Sequence, residues 1–123
     1  MQNKLIITGG VLLIVLALFH LSFWSLFNWQ EELPRLSAEN SGIMQMSTVG
    51  FVCLFLSLGI IFINFRKEIA NTKLGKALSF ALAFFFFIRT IAEFIFPGSS
   101  IELGIFLGIC TLVFFIPTTM KKK

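Results

Sequence analysis

Residues 5–30 read LIITGGVLLIVLALFHLSFWSLFNWQ, and no Asp, Glu, Lys or Arg interrupts them. A helix crosses the roughly 30 Å hydrocarbon core of a bilayer in about 20 residues, at about 1.5 Å per residue. This run alone is long enough to span. The same pattern recurs along the chain. Positions 40–65, between Glu39 and Arg66, are also free of charge. Positions 77–96 are broken only by Arg89 and Glu93, and positions 103–120 carry no charge before Lys121-Lys122-Lys123. The spacing predicts four spans, at about residues 5–28, 42–65, 77–97 and 101–119. The expected fold is all-α, a four-transmembrane-helix bundle forming one domain over residues 1–123.

Composition supports that reading. Of 123 residues, 57% are hydrophobic and 13% charged, whereas a soluble domain carries about 25% charged residues to coat its surface. An ordinary soluble enzyme, a disordered chain and a disulfide-rich secreted scaffold are excluded. Helices are the element of choice because lipid-exposed backbone must satisfy its own hydrogen bonds. A β-barrel would need stretches of about ten residues alternating in polarity, and none of the runs alternates. The first run exceeds the h-region of a signal peptide, and Phe23, Trp24 and Phe27 stand where a small-residue cleavage site would lie. It is expected to remain as a span.

Charge sets the orientation. Lys4, then Arg66, Lys67, Lys73 and Lys76, then the three terminal lysines fall on one side; the other holds Arg35. The positive-inside rule puts both termini and the middle loop in the cytoplasm, an N-in/C-in topology. Trp24 and Trp29 then fall at the outer interface, where indole rings favour the headgroup zone. In the outer loop, residues 28–42, the Glu31-to-Leu36 segment suits a turn of helix, and Asn40 or Ser41 suits the cap of span two. Pro97-Gly98-Ser99-Ser100 breaks the chain between spans three and four. The basic residues face anionic headgroups, so the net charge of +4 gives no reason to invoke nucleic acid.

Ionisable groups inside a span are costly and mark candidate sites. His20, Arg89 and Glu93 qualify, and topology puts all three in the outer half. Gln45 of span two falls at the same level. Stripes of residues three and four apart place Ala17, His20 and Trp24 on one face of span one, and Met46, Gly50, Cys53 and Ser57 on one face of span two. Were these stripes to face inward, His20, Gln45, Arg89 and Glu93 would form a polar layer near the outer mouth. Arg89 and Glu93, four apart, also suit a self-neutralising pair that ties span three to the outer loop. In the functional reading, Arg89 holds an anionic or carbonyl-bearing ligand while Glu93 or His20 exchanges a proton. In span four, Gly104-x-x-x-Gly108 is a small-xxx-small motif, suited to packing inside the bundle or to a homodimer seam.

The inventory excludes several chemistries. Cys53 and Cys110 stand alone, without a C-x-x-C pair, and read as small packing residues. One histidine does not make a bis-histidine haem site, and His20 with Glu93 falls short of the usual three protein ligands for zinc. There is no phosphate-binding glycine loop and no nucleophile elbow. No residue is assigned a catalytic role, and no metal or cofactor is expected.

With His20 in span one, an outer loop ending at Asn40 and the Arg89–Glu93 face of span three, the chain resembles the small bacterial four-helix membrane proteins of the DoxX-like type. The resemblance lies in length, four spans and polar groups near one membrane face, and no site residue carries over from it. It implies a multi-pass protein of the bacterial inner membrane, an accessory to a respiratory or redox system. The expected function is non-enzymatic: ligand binding in the polar layer, or service as an accessory subunit, with the lipid bilayer and a homodimer or membrane subunit as partners. The alternative is a small transporter or channel using Arg89, Glu93 and His20 as a proton- or anion-linked site. A membrane enzyme using His20 and Glu93 as acid–base groups is a third.

Overall fold

The computed structural model describes residues 1–120; the terminal lysines counted in the orientation argument lie outside the described residues. All regular structure among the described residues is helical. Its elements are α1 (Gln2–Leu21), α2 (Phe23–Leu26), α3 (Trp29–Glu32) with a 3₁₀ turn at Leu33–Arg35, α4 (Ala38–Asn64), α5 (Arg66–Asn71), α6 (Lys73–Ile95) and α7 (Ile101–Thr119). Four of these, α1, α4, α6 and α7, are long and apolar enough to cross a membrane.

The helix ends follow local chemistry more closely than they follow the apolar runs. α1 stops at Leu21 although the apolar run continues. There Ser22 donates its hydroxyl to the Phe19 carbonyl at 2.6 Å, and its N–H is shared between the Leu18 and Phe19 carbonyls. The chain then turns at Asn28, whose φ of 50° is a left-handed conformation that asparagine tolerates. Its side chain donates to Glu31 at 2.9 Å and fixes the start of α3. α4 begins earlier than expected, and its cap is neither Asn40 nor Ser41. Ser37 accepts from the Asn40 N–H at 3.2 Å, and its carbonyl receives the Ser41 N–H. The 27 residues of α4 make a helix of about 40 Å, longer than the roughly 30 Å hydrocarbon core of a bilayer.

The described chain forms two compact units, Val11–Ile60 and Met1–Gly10 with the residues from Ile61 onward. The first is an α1–α4 hairpin whose buried residues include Leu13, Leu16, Ala17, Trp29, Leu33 and Phe55. The small-residue stripe expected to face inward on α4 does the reverse: Met46, Gly50, Cys53 and Ser57 are exposed, while Thr48 and Phe55 are buried. On α4 the Phe55 ring is turned into the interior, and this stripe is left outside. Trp29 is likewise buried, edge-on to Trp24 at 5.1 Å and to Phe23 at 5.8 Å, and so closes the hairpin end from within.

The second unit is built on the antiparallel pair α6 and α7. Its centre is aromatic: Phe114 stacks on Phe86 at 5.5 Å and meets Phe62 edge-on at 5.4 Å, all three fully buried. Gly9 packs directly on the Phe114 ring, where a Cβ would come within 2.7 Å. Cys110 is buried beside this cluster's helix face, as expected for a packing residue, whereas Cys53 is not. The segment read as a cytoplasmic loop contains α5. Thr72 caps α6 by accepting from the Gly75 N–H at 2.9 Å, and a Cβ on Gly75 would fall 2.3 Å from the Ile69 Cα. The α5–α6 corner is therefore closed by backbone against backbone. The end of α7 is held from the chain start, where Gln2 donates to the Pro117 carbonyl at 3.0 Å.

Candidate functional site

Polar atoms inside apolar helices are satisfied locally wherever they can be, because an unpaired group in hydrocarbon costs several kcal/mol, on the order of a lost hydrogen bond or more. Each candidate residue follows this rule in its own way.

Glu93 is the most constrained. It sits in the last turns of α6, 7% exposed, and both carboxylate oxygens are engaged. Oε2 receives Arg89 Nη1 at 2.8 Å from one turn back along the helix. Oε1 accepts the Ser100 backbone N–H at 3.0 Å from across the Pro97–Ser100 turn. Ser100 in turn caps α7, accepting from the Leu103 N–H at 3.3 Å and donating its hydroxyl to Glu102 at 2.8 Å. One carboxylate thus joins the end of α6 to the start of α7. Next to it, the Gly104 position lies against the Phe94 ring, where a Cβ would be 2.5 Å from the nearest carbon. Gly108, the other half of the small-xxx-small motif, has nothing within 4 Å of its Cβ position. The two glycines do not form one packed seam within this unit: one is spent on α6, the other is open.

Arg89 is 43% exposed along its side chain. Its charge is balanced by Glu93 while much of the guanidinium remains outside the packed interior. The arrangement holds a charge pair in a low-dielectric setting with the carboxylate inside and the cation at the edge. Such a pair is costly to break from one side, because the remaining partner is left uncompensated.

His20 and Gln45 belong to the α1–α4 hairpin. His20 Nδ1 lies 2.8 Å from the Leu16 carbonyl, one turn back. A carbonyl only accepts, so Nδ1 carries the hydrogen. The ring is enclosed by Phe23 at 4.7 Å, Phe55 at 5.4 Å, Phe51 at 5.7 Å and Phe19 at 6.0 Å between centroids. It joins α1 to α4 as one more aromatic in a cluster. Gln45 turns back on its own helix, donating to the Ser41 carbonyl and hydroxyl, both at 3.3 Å. Thr48 does the same with Met44 at 2.9 Å. Arg89 and Glu93 are thus brought together, and His20 and Gln45 are each held by their own helix turn.

Ser100 is the member that sequence reasoning missed. It was visible as part of a chain break, and a serine before Ile-Glu-Leu is a helix-start pattern; what the sequence did not mark was its N–H as the partner of Glu93. Among the described residues, no group of three or more His, Cys, Asp or Glu side chains is placed to hold a metal ion.

No protein-family model matches this chain, and neither does any curated protein or solved structure.

Proposed function

We propose that the protein is a non-enzymatic multi-pass protein of the bacterial inner membrane, with both termini in the cytoplasm, serving as an accessory subunit or binding a small ligand. The observation that carries this reading is the state of Glu93. Its two oxygens are taken by Arg89 and the Ser100 N–H, so the one buried carboxylate among the described residues is employed in fastening a turn. Intramembrane ionisable groups of proton- or ion-coupled carriers change partners during the cycle; the two contacts of Glu93 support a fastening role instead. The asymmetric basic residues support the orientation, and the large exposed apolar faces of α4, α6 and α7 suit lipid or a neighbouring membrane subunit.

Reconstitution into proteoliposomes tests the functional half. The expected result is no proton- or ion-driven flux above that of protein-free vesicles, together with a stoichiometric neighbour captured by crosslinking in native membranes. Flux that Glu93→Gln abolishes in a folded protein would overturn the proposal and favour the transporter alternative. For orientation, an impermeant thiol reagent applied from outside should label Gln30→Cys and spare Asn71→Cys; the reverse pattern would invert the topology.

A further inference from the structure

A groove of about 280 Å³ runs between α6 and α7, lined by Phe80, Ala83, Phe84, Phe87, Thr111 and Phe115. Its walls are apolar. The four phenylalanines are exposed, and the Thr111 hydroxyl is spent on the Leu107 carbonyl at 3.0 Å. Nothing in the groove calls for a polar ligand.

One end of it is charged. Lys76 lies one turn before Phe80, and residues 76, 80, 83, 84 and 87 share one face of α6 by helical spacing. Its ammonium donates to the carbonyl of Met120, the residue that follows α7, at 3.4 Å, so it bridges the α6 and α7 ends one turn from Phe80, the first α6 residue lining the groove. That contact uses one of three N–H donors. Among the described residues no carboxylate pairs with it: the ion pairs are those of Arg35 and Arg89. Lys73 adds a second positive charge in the same first turn, which has no acid to offset the positive end of the helix dipole.

The dimensions match one leaflet. From Lys76 to Phe80 the helix rises about 6 Å, and from Lys76 to Phe87 about 16 Å. That is close to half of the roughly 30 Å hydrocarbon thickness. A cation at headgroup depth with an apolar channel running from it toward the midplane is complementary to a molecule with an anionic head and a hydrocarbon tail.

We propose that the α6–α7 groove is a binding site for one anionic phospholipid of the leaflet at the Lys76 end, its phosphate on Lys76 and one acyl chain between Phe80, Phe84, Phe87 and Phe115. This rests on the membrane-spanning reading above. The lipid is selected by charge at Lys76 and held by contact along the groove, and its head relieves the repulsion between the two lysines and the helix end.

The test uses the full chain in nanodiscs of phosphatidylcholine and phosphatidylglycerol, with native mass spectrometry counting the lipids that stay bound on release. A lysine near the membrane surface favours an anionic lipid by about fivefold. The expected result is one retained phosphatidylglycerol enriched by about that factor over its bulk share. Lys76→Gln should bring the ratio to that of the bulk and Lys76→Arg should preserve it. Thr111→Trp, which fills the groove, should lower retention of both lipids. Excess glycerol phosphate should not displace the bound molecule, which separates a lipid from a free phosphate. Retention in the bulk ratio by the wild type, enrichment that survives Lys76→Gln, displacement by glycerol phosphate, or a second copy of the chain in place of lipid would each overturn the site. Alkaline carbonate extraction of native membranes separates the two failures: a chain that stays in the membrane yet shows no lipid preference refutes the groove alone, and a chain that is extracted refutes the membrane reading itself.

Discussion

Two corners of the same helical unit solve one problem by opposite means. At one end of α6, the turn into α7 is fastened by charge: Arg89, Glu93 and the Ser100 N–H form a chain of contacts of 2.8 and 3.0 Å. At the other end, the turn from α5 is closed by shape, with Gly75 against the backbone of Ile69 and the Thr72 hydroxyl on the Gly75 N–H. The charged corner drew attention in the sequence because ionisable residues in a span are rare and costly. The apolar corner drew none, yet it has less freedom to adjust. A salt bridge can be replaced by two neutral groups of similar size; a backbone contact cannot be replaced by anything with a side chain.

Mutations at the two corners rank this difference. Gly75→Val should have the largest effect. Its Cβ would overlap Ile69 backbone atoms at 2.3–2.7 Å, and the loss should exceed about 4 kcal/mol, read as near absence of folded protein after detergent extraction. Recovery of folded Gly75→Val at wild-type yield would show that the α5–α6 corner opens freely.

Glu93→Ala comes next. It leaves the Ser100 N–H without its acceptor and Arg89 without its counter-charge. Because Arg89 is partly exposed, the expected cost is about 2–3 kcal/mol, below the range for a fully buried pair, seen as a lower thermal midpoint. The double variant Arg89→Met with Glu93→Gln keeps an acceptor for Ser100 and removes both charges, so it should recover most of that loss. A double variant that is worse than Glu93→Ala would mean that the charges themselves stabilise the corner.

Caps give the smaller effects. Thr72→Ala should cost about 1 kcal/mol, as should Ser37→Ala at the start of α4, while Asn40→Ala should be close to neutral. Equal losses at Ser37 and Asn40 would contradict the assigned cap. Gly104→Ala belongs with these caps, because its Cβ meets only the Phe94 ring, nearest at its far end. A loss of about 1 kcal/mol is expected, at the low end of the overpacking range, relieved in part by Phe94→Leu.

The four long helices were legible because a near-absence of charge over a membrane's thickness is a strong signal: Lys4, Glu31, Glu39 and Arg66 bound the first two, and Lys76, Glu102 and Lys121 the last two, with Arg89 and Glu93 alone inside the third. Which face of each helix is buried was not. In water, burial sorts apolar from polar residues; in lipid, both faces are apolar, and a helix contact is decided by fit. The exposed Met46–Ser57 stripe and the buried Thr48 and Phe55 of α4 show the consequence. Of the candidate site, the Arg89–Glu93 pairing was readable from its spacing of four. Its tie to Ser100 was not, because it uses a backbone N–H, which no residue type advertises. α5 was hidden for a related reason: its six residues carry charge in a short connection, and it packs by backbone against Gly75, which no side chain marks.

Hydrogen exchange at the Ser100 amide tests most directly whether Glu93 acts as a fastening of the fold. The account predicts that this amide is protected in the wild-type protein, while Glu93→Ala lets it exchange as fast as the neighbouring turn amides. A Ser100 amide that exchanges freely while Glu93 is present would contradict it.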